Sequence, residues 1–203
     1  MLKIRLRPAA LTVALATALI ASVSTPATAD TSPTSIELLQ KCDKGADSCV
    51  FHVSGAPDVF WSATEVVGQT ANCTDVAQSA SIAWSKSTFS SNSVGVSFKF
   101  IAGATKALLA GYKIAYQHEW TETTTDSDST AMNIPPGFIG RVRHARQMER
   151  VKGQYELHFG KRFYGHYYWY VPFTVTSPRA GGNNDNVSTK STPMTAQERS
   201  AYC

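Results

Sequence analysis

The chain has 203 residues, enough to bury a core of its own, with 19 Lys or Arg and 15 Asp or Glu. Three of the basic residues, Lys3, Arg5 and Arg7, lie in the first seven positions, which leaves 19 − 3 = 16 basic against 15 acidic residues in the remainder. This near-neutral balance argues against polyanion binding driven by net charge, and we expect no nucleic-acid partner.

Residues 1–29 have the parts of a secretory signal peptide. After the basic start come an apolar run, Ala9–Ala21, and a small-residue sequence, Ala27-Thr28-Ala29, where we expect cleavage. The apolar run is shorter than the roughly 20 residues that span a bilayer, although an uncleaved anchor is the alternative. The sequence therefore predicts a secreted, extracellular protein that begins at Asp30.

Four cysteines follow the predicted signal peptide: Cys42, Cys49, Cys73 and Cys203. Export permits disulfides, and four cysteines allow three pairings. We favour Cys42–Cys49 with Cys73–Cys203, because the spacer DKGADS is turn-rich and makes a local loop easy to close. A zinc site is the competing interpretation, but the chain lacks CxxC and paired His spacing. We expect no metal and no cofactor.

Residues 30–41 form a polar arm that ends in an apolar patch of Ile36, Leu38 and Leu39. Such an arm is either a frayed terminus or a docking segment for a partner protein. The β-domain that we expect over residues 42–177 follows. Its first predicted strands are Cys49–Val53, one or two strands within Val59–Gln69, and one around Ile82 and Trp84.

The stretch Ser93–Trp120 predicts a pair of strands. Alternation of apolar and polar residues over Ser93–Phe100 and again over Tyr112–Trp120 is typical of half-buried strands. The connecting Ile101–Gly111 is compatible with a short helix or with an apolar hairpin tip. The residues on the apolar faces of this candidate hairpin are Val94, Val96, Phe98, Phe100, Tyr112, Ile114 and Tyr116.

Past this stretch, a Thr/Ser/Asp run leads to a turn at Ile134-Pro135-Pro136-Gly137. Further strands are predicted at Phe138–Arg146, Tyr155–Phe159 and His166–Val175, the last with Pro172 at an edge or a bulge. Residues 178–203 have no periodicity and predict a flexible tail, tied back only through its last cysteine. The whole pattern predicts an all-β fold with at most one short helix after the signal peptide.

A search for catalytic chemistry finds no known motif, such as G-x-S-x-G, H-E-x-x-H or a P-loop. The five histidines each lie in a strand-like segment, so we expect no catalytic residues and no enzyme. Asp126 and Asp128 share one face of an extended strand, where two carboxylates can hold calcium weakly. A solvated strand face is the preferred interpretation of this pair.

Three segments between Trp84 and Phe159 resemble the core of aerolysin-like proteins of the epsilon-toxin and mosquitocidal-toxin type. They read SNSVGVSFKF, YQHEWTETTTDSDSTAMNIPPGFIGRV and VKGQYELHFG, with a Ser/Thr-rich strand before an I-P-P-G turn. The resemblance implies elongated, twisted antiparallel sheets. It also implies oligomerisation and insertion of a hairpin, here Ser93–Trp120, into a target membrane.

Two functions follow as expectations. The first is a non-enzymatic adaptor in a secreted multi-protein toxin used against competitors, similar to the small connecting subunits of umbrella-type toxin particles of filamentous soil bacteria. Its partners would be other secreted subunits in a hetero-complex. The second is a pore-forming toxin that acts alone on a target membrane. The small size, the polar arms and the eight-residue Ser93–Phe100, shorter than the 9–11 residues of a barrel strand, favour the adaptor.

Overall fold

The computed structural model describes residues 32–97, 101–117, 119–181 and 184–203, so the predicted signal peptide lies outside the described residues. In chain order the elements are α1 (Ser35–Lys41), β1 (Ser48–Val53), β2 (Asp58–Trp61), β3 (Glu65–Ala71), β4 (Gln78–Phe89), β5 (Ser91–Asn92), α2 (Ala102–Tyr116), β6 (Thr123–Ile134), β7 (Phe138–Phe163), β8 (His166–Pro178), β9 (Asp185–Pro193) and α3 (Ala196–Tyr202). Strands predominate and every pairing among them is antiparallel, which confirms the all-β prediction. None of the helices in these ranges is long and apolar enough to cross a bilayer.

The 26-residue strand β7 connects most of the fold. Its first part pairs with β3 and β9, and its later part pairs with β1, β2 and β8. The two strands predicted at Phe138–Arg146 and Tyr155–Phe159 are therefore segments of one strand. At Gly153 the neighbouring strand comes so close that a Cβ would lie 2.4 Å from the His52 carbonyl oxygen, which explains the glycine.

A second, two-stranded sheet consists of β4 and β6. The two 12-residue strands pair without a break from Gln78↔Ile134 to Phe89↔Thr123. Hydroxyl pairs reinforce the ladder, with Ser81 and Ser129 Oγ atoms 2.7 Å apart. Ile82 and Trp84 of β4 pack against Val142 of β7 in a small core of their own. We call this two-stranded sheet the Ser/Thr ribbon.

The main core lies between the β1–β7–β8 sheet and the helices α1 and α2. Its largest fully buried side chains include Leu39, Leu108, Tyr112, Tyr155 and Leu157. They come from alternate positions on the strands and from one stripe on α2, as expected for a sheet face covered by a helix. The expectation of at most one helix was too low, because α1 and α3 also form.

Helix α1 replaces the predicted docking arm. Thr34 and Glu37 form a capping box, in which the Thr34 hydroxyl accepts from the Glu37 N–H (3.2 Å) and the Glu37 carboxylate accepts from the Thr34 N–H (2.7 Å). Leu38 and Leu39 then point into the main core and are buried, while Ile36 stays exposed. The docking prediction for Leu38 and Leu39 was wrong, because the chain's own sheet covers them.

The predicted flexible tail is also ordered. Residues after Pro178 form β9, which pairs with β7 over nine residues, and α3, which begins with a capping box of Thr195 and Glu198. Both favoured disulfides are present, Cys42–Cys49 and Cys73–Cys203. We predicted a flexible tail because these residues lack apolar periodicity. The segment folds nevertheless, because backbone pairing and a disulfide hold it rather than buried side chains.

The backbone of Pro172 lies on the side of β8 that faces away from β7, where we predicted an edge or a bulge. The Ser93 N–H donates to the Thr174 carbonyl (2.8 Å), and the Thr174 N–H donates to the Ser93 hydroxyl (3.0 Å), so the backbone of Thr174 faces away from β7. Two residues earlier the backbone of Pro172 faces the same way. A proline that lacks an N–H there breaks the row of donors along the edge of β8.

Candidate functional site

The second half of the candidate hairpin is helical in this structure. Tyr112, Ile114 and Tyr116 lie in α2, which ends where Gln117 adopts a positive φ of 59°. Good helix formers fill the segment, and Ala104, Leu108 and Tyr112 make one buried stripe at a spacing of four residues. The strand prediction for residues 112–116 was therefore wrong, and Ile114 is 82% exposed on the outer face of the helix.

The first half of the candidate hairpin forms a turn followed by irregular chain. The Asn92 side chain organises it: its amide donates to the Val96 carbonyl (2.7 Å), and its oxygen accepts from the Val94 N–H (3.1 Å). Val94 and Val96 pack against the main core instead of forming a strand face. Phe98 and Phe100 lie outside the described residues.

Helix α2 lies very close to the backbone of β1 and of the α1–β1 loop. A Cβ added at Gly111 would sit 2.3 Å from the Phe51 carbonyl oxygen, and one at Gly103 would sit 2.3 Å from the Cys42 carbonyl oxygen. Only glycine permits such an approach. The two glycines, which also lower helix propensity, are therefore explained by the contact of α2 with the rest of the fold.

Two buried phenols attach α2 to the sheet. The Tyr112 hydroxyl donates to Glu149 Oε1 of β7 (2.5 Å), and the Tyr155 hydroxyl donates to the Ala104 carbonyl (3.0 Å). Burial, and next the hydrogen bond to Glu149, raise the pKa of Tyr112 far above its usual value. Burial likewise raises the pKa of Tyr155. Both phenols therefore stay protonated and remain donors.

A buried ion pair joins the Ser/Thr ribbon to β7. Asp126 of β6 accepts a hydrogen bond from Arg146 Nη1 (2.6 Å), and its other oxygen lies 3.4 Å from His144 Nε2. His144 in turn packs against Trp84, with ring centroids 5.1 Å apart. Asp126 thus faces β7 and is mostly covered, while Asp128, two residues along the same strand face, is exposed. Among the described residues no group of three or more His, Cys, Asp or Glu could hold a metal ion.

The outer face of the β1–β7–β8 sheet carries large exposed side chains. Register places Tyr168 opposite His158, and Tyr170 opposite Glu156, which is itself opposite Val50. Tyr168 and Tyr170 are 49% and 53% exposed, and the His158 ring packs on Tyr168 at 4.7 Å. We call the outward side chains of Val50, His52, Glu156, His158, Tyr168 and Tyr170 the Tyr face.

Sequence reasoning missed the Tyr face, although the signal was present. In the sequence HYYWYV the residues Trp169 and Val171 alternate with Tyr168 and Tyr170, so a strand must put one aromatic set inward and the other outward. Trp169 is half-buried, and its ring N–H donates to the Phe163 carbonyl (3.0 Å). Exposed rings fixed on a rigid sheet are suited to binding another molecule.

No protein-family model matches the chain, and no curated protein matches it in sequence. Solved structures do match. Parasporin-2, a Bacillus thuringiensis toxin that recognizes cancer cells, matches at 16% identity and a TM-score of 0.29, over 73% of each chain. A proposed pore-forming toxin of Bacteroides vulgatus ATCC 8482 matches at 14% identity and a TM-score of 0.28, over 74% of this chain and 59% of that one.

A third match is a non-toxic crystal protein from Bacillus thuringiensis, at 8% identity and a TM-score of 0.25, over 79% of this chain and 96% of that one. At identities and TM-scores this low, these matches carry no conclusion about fold, family or activity. By its own strands, the chain is an all-β protein built of antiparallel sheets.

Proposed function

We propose that the chain is a non-enzymatic component of a secreted bacterial toxin system, which acts as an adaptor that assembles with other secreted subunits. The observation that carries this proposal is the Tyr face, a row of exposed tyrosines on a sheet with a packed core behind it. Secretion, for which the signal-like start is the sequence evidence, is supported by the two disulfides.

Tyrosine on a rigid sheet is favourable for protein docking for two reasons. Its ring brings a large apolar area and a polar hydroxyl at the cost of ordering only two torsions. Its neighbours on the Tyr face add polar groups that can hydrogen-bond to a partner, with His52 Nε2 lying 3.3 Å from Glu156 Oε2. The terminal arms, where we predicted docking, are folded. We therefore propose the Tyr face, in the middle of the sheet, as the surface that docks to partner subunits.

The test is co-purification of partner subunits from culture supernatant with tagged protein. We expect the double variant Y168S/Y170S to lose at least ten-fold in recovered partner, because tyrosine is enriched among the interface residues whose truncation costs about 1 kcal/mol or more. V66S/V76S is the matched control, since it removes two exposed apolar side chains elsewhere. Recovery of a lone monomer from the unmodified protein, or equal loss in both variants, would contradict the adaptor.

A pore-forming toxin that acts alone is the second candidate, and the Ser/Thr ribbon favours it. Because β4 and β6 pair through all twelve positions, residues 90–122 are the connection between two strands of one hairpin. If those residues became extended, the ribbon would lengthen, and the alternation over Tyr112, Ile114 and Tyr116 would form one apolar face. The helical state of α2 would then be the form that precedes insertion.

Dye release from liposomes tests this candidate with substitutions that leave the observed fold intact. Ile114 and Ala115 are both exposed on α2, but they lie on opposite faces of an extended strand. We expect I114K to lower leakage by at least ten-fold, since a lysine on the lipid face of a barrel costs about 2–4 kcal/mol per chain. A115K is the control. No leakage from the unmodified protein, or equal effects of the two lysines, would remove the pore-forming candidate.

A further inference from the structure

A bulge at the end of the β7–β8 hairpin carries two cations. Beyond the pair His158↔Tyr168, the next pair is Phe163↔His166, so residues 159–162 of β7 face Tyr167 alone on β8. The pairing of β7 with β1 does not extend past His158, because β1 begins at Ser48, the partner of His158. A bulge of this kind redirects side chains out of the ladder. Here it displays Lys161 and Arg162, both exposed.

The turn that closes the hairpin displays an aromatic ring. Tyr164 and Gly165 have φ of 48° and 83°, as the two central residues of a type I′ turn require. Glycine adopts this conformation freely, whereas a tyrosine is unusual there. Tyr164 is 51% exposed, and Tyr167 is 47% exposed. Asparagine is suited to the first central position of this turn, but here that position holds a tyrosine with an exposed side chain.

The side chains at the closed end of the β7–β8 hairpin pack closely against one another. Phe159 stacks on Phe163 with centroids 5.0 Å apart, and His166 packs on Trp169 at 5.0 Å. An open cleft separates these side chains from the α1–β1 loop, and Lys41 lies in it with its Nζ 5.2 Å from the centre of the Phe163 ring. We call residues 160–167, together with Lys41 at the end of α1 and Lys44 of that loop, the hairpin end.

The hairpin end has an excess of positive charge. None of the ion pairs between described residues involves Lys41, Lys44, Lys161 or Arg162. These four cations outnumber three nearby carboxylates: Glu37, which interacts electrostatically with Lys41; Asp43, which accepts from the Gly103 N–H; and Asp47, which lies 3.8 Å from His158 Nδ1. Arg162 lies over the Tyr167 ring, 5.4 Å from its centre, which holds the cation beside the exposed aromatic rings.

We infer that the hairpin end binds the surface of a membrane that contains anionic lipids. Tyrosine rings prefer the headgroup layer, where the ring meets acyl chains and the hydroxyl meets water, and lysine and arginine extend toward lipid phosphates. The charge complements an anionic leaflet, which attracts nearby basic residues. This contact is peripheral, and it is independent of whether the chain is an adaptor or a pore former.

The experiment is co-sedimentation of the full, oxidised chain with phosphatidylcholine vesicles, with and without phosphatidylserine. Each Lys or Arg beside an anionic surface contributes about five-fold to partitioning, so we expect K161S/R162S to weaken binding about 25-fold. Y164N, which keeps the turn conformation, should also weaken it. Binding should fall as salt is raised and should be weak without phosphatidylserine.

R143S/K190S is the matched control, because it removes two exposed cations from the part of β7 and β9 that lies away from the hairpin end. Equal loss in this control, or equal binding to both kinds of vesicle, would overturn the proposal. So would a hairpin-end variant that binds vesicles normally but loses an acidic protein partner. Failure of vesicle binding leaves the adaptor test with Y168S/Y170S unaffected, so the two proposals fail separately.

Discussion

Serine at both Cys73 and Cys203 is expected to cause the largest loss of stability of any change considered for this chain. The disulfide joins residues 130 apart in sequence, and the chain-entropy relation predicts a contribution of about 5 kcal/mol for a loop of that size. The bond also holds α3 beside β3, where the Tyr202 hydroxyl accepts from Gln69 Nε2 (2.6 Å). Urea denaturation, read from the midpoint at an unchanged slope, measures the loss.

The matched control is C42S/C49S. Its disulfide closes a loop of only 7 residues, for which the same relation predicts about 2.5 kcal/mol. The two double variants change the same atoms, so the difference between their midpoints isolates the length of the loop. Equal losses, or a larger loss for C42S/C49S, would show that the Cys73–Cys203 disulfide is not a principal restraint on the unfolded chain.

Alanine at Arg146 is the second change with a large expected effect. It leaves the Asp126 carboxylate, which is only 14% exposed, beside β7 without the guanidinium that compensates its charge. Removing one partner of a buried ion pair typically costs about 3–5 kcal/mol. K152A is the control, also on β7: the Lys152–Asp58 pair is well exposed, so we expect a loss of no more than about 1 kcal/mol.

Which strands lose protection in R146A tests the role of the ion pair more sharply than the size of the stability loss. Because Asp126 belongs to β6, the R146A variant should weaken the attachment of the Ser/Thr ribbon to β7 before it weakens the main core. Hydrogen exchange should therefore accelerate in β4 and β6, while β1 and β8 keep their protection. The double variant D126A/R146A should recover part of the stability, since it removes both charges. Uniform acceleration in every strand would contradict this role of the ion pair.

Local patterns identified most strands correctly. Period-two alternation in Phe138–Arg146, Tyr155–Phe159 and His166–Val175 depends only on neighbouring residues, and so does the turn at Pro135–Gly137, where the Phe138 N–H donates to the Pro135 carbonyl (3.2 Å). The pairing of cysteines was also accessible, because a turn-rich spacer closes easily. The function was not accessible, since no motif in the sequence performs known chemistry.

The helix α2 shows why periodicity failed over residues 112–116. Five residues with apolar side chains at every second position fit a strand, but Ala104, Leu108 and Tyr112 fit a helix equally well. Contacts outside the segment decide between helix and strand. Glu149, 37 residues further along, accepts a hydrogen bond from the Tyr112 hydroxyl, and Gly111 lies close to the backbone of β1. A local pattern contains no information about such a partner.

The amino-acid sequence by itself determined that this is an all-β chain with four cysteines, a Ser/Thr-rich strand and an aromatic strand at His166–Val175, because alternation and turn chemistry act between adjacent residues. Only the tertiary structure decided that 112–116 is helical, that residues 35–41 and 185–202 are folded, and that Asp126 pairs with Arg146. It also decided that Tyr168 and Tyr170 share an exposed face and that a bulge displays Lys161 and Arg162. The physical reason is that these features arise from contacts between distant segments, whose free energy exceeds the weak local preferences.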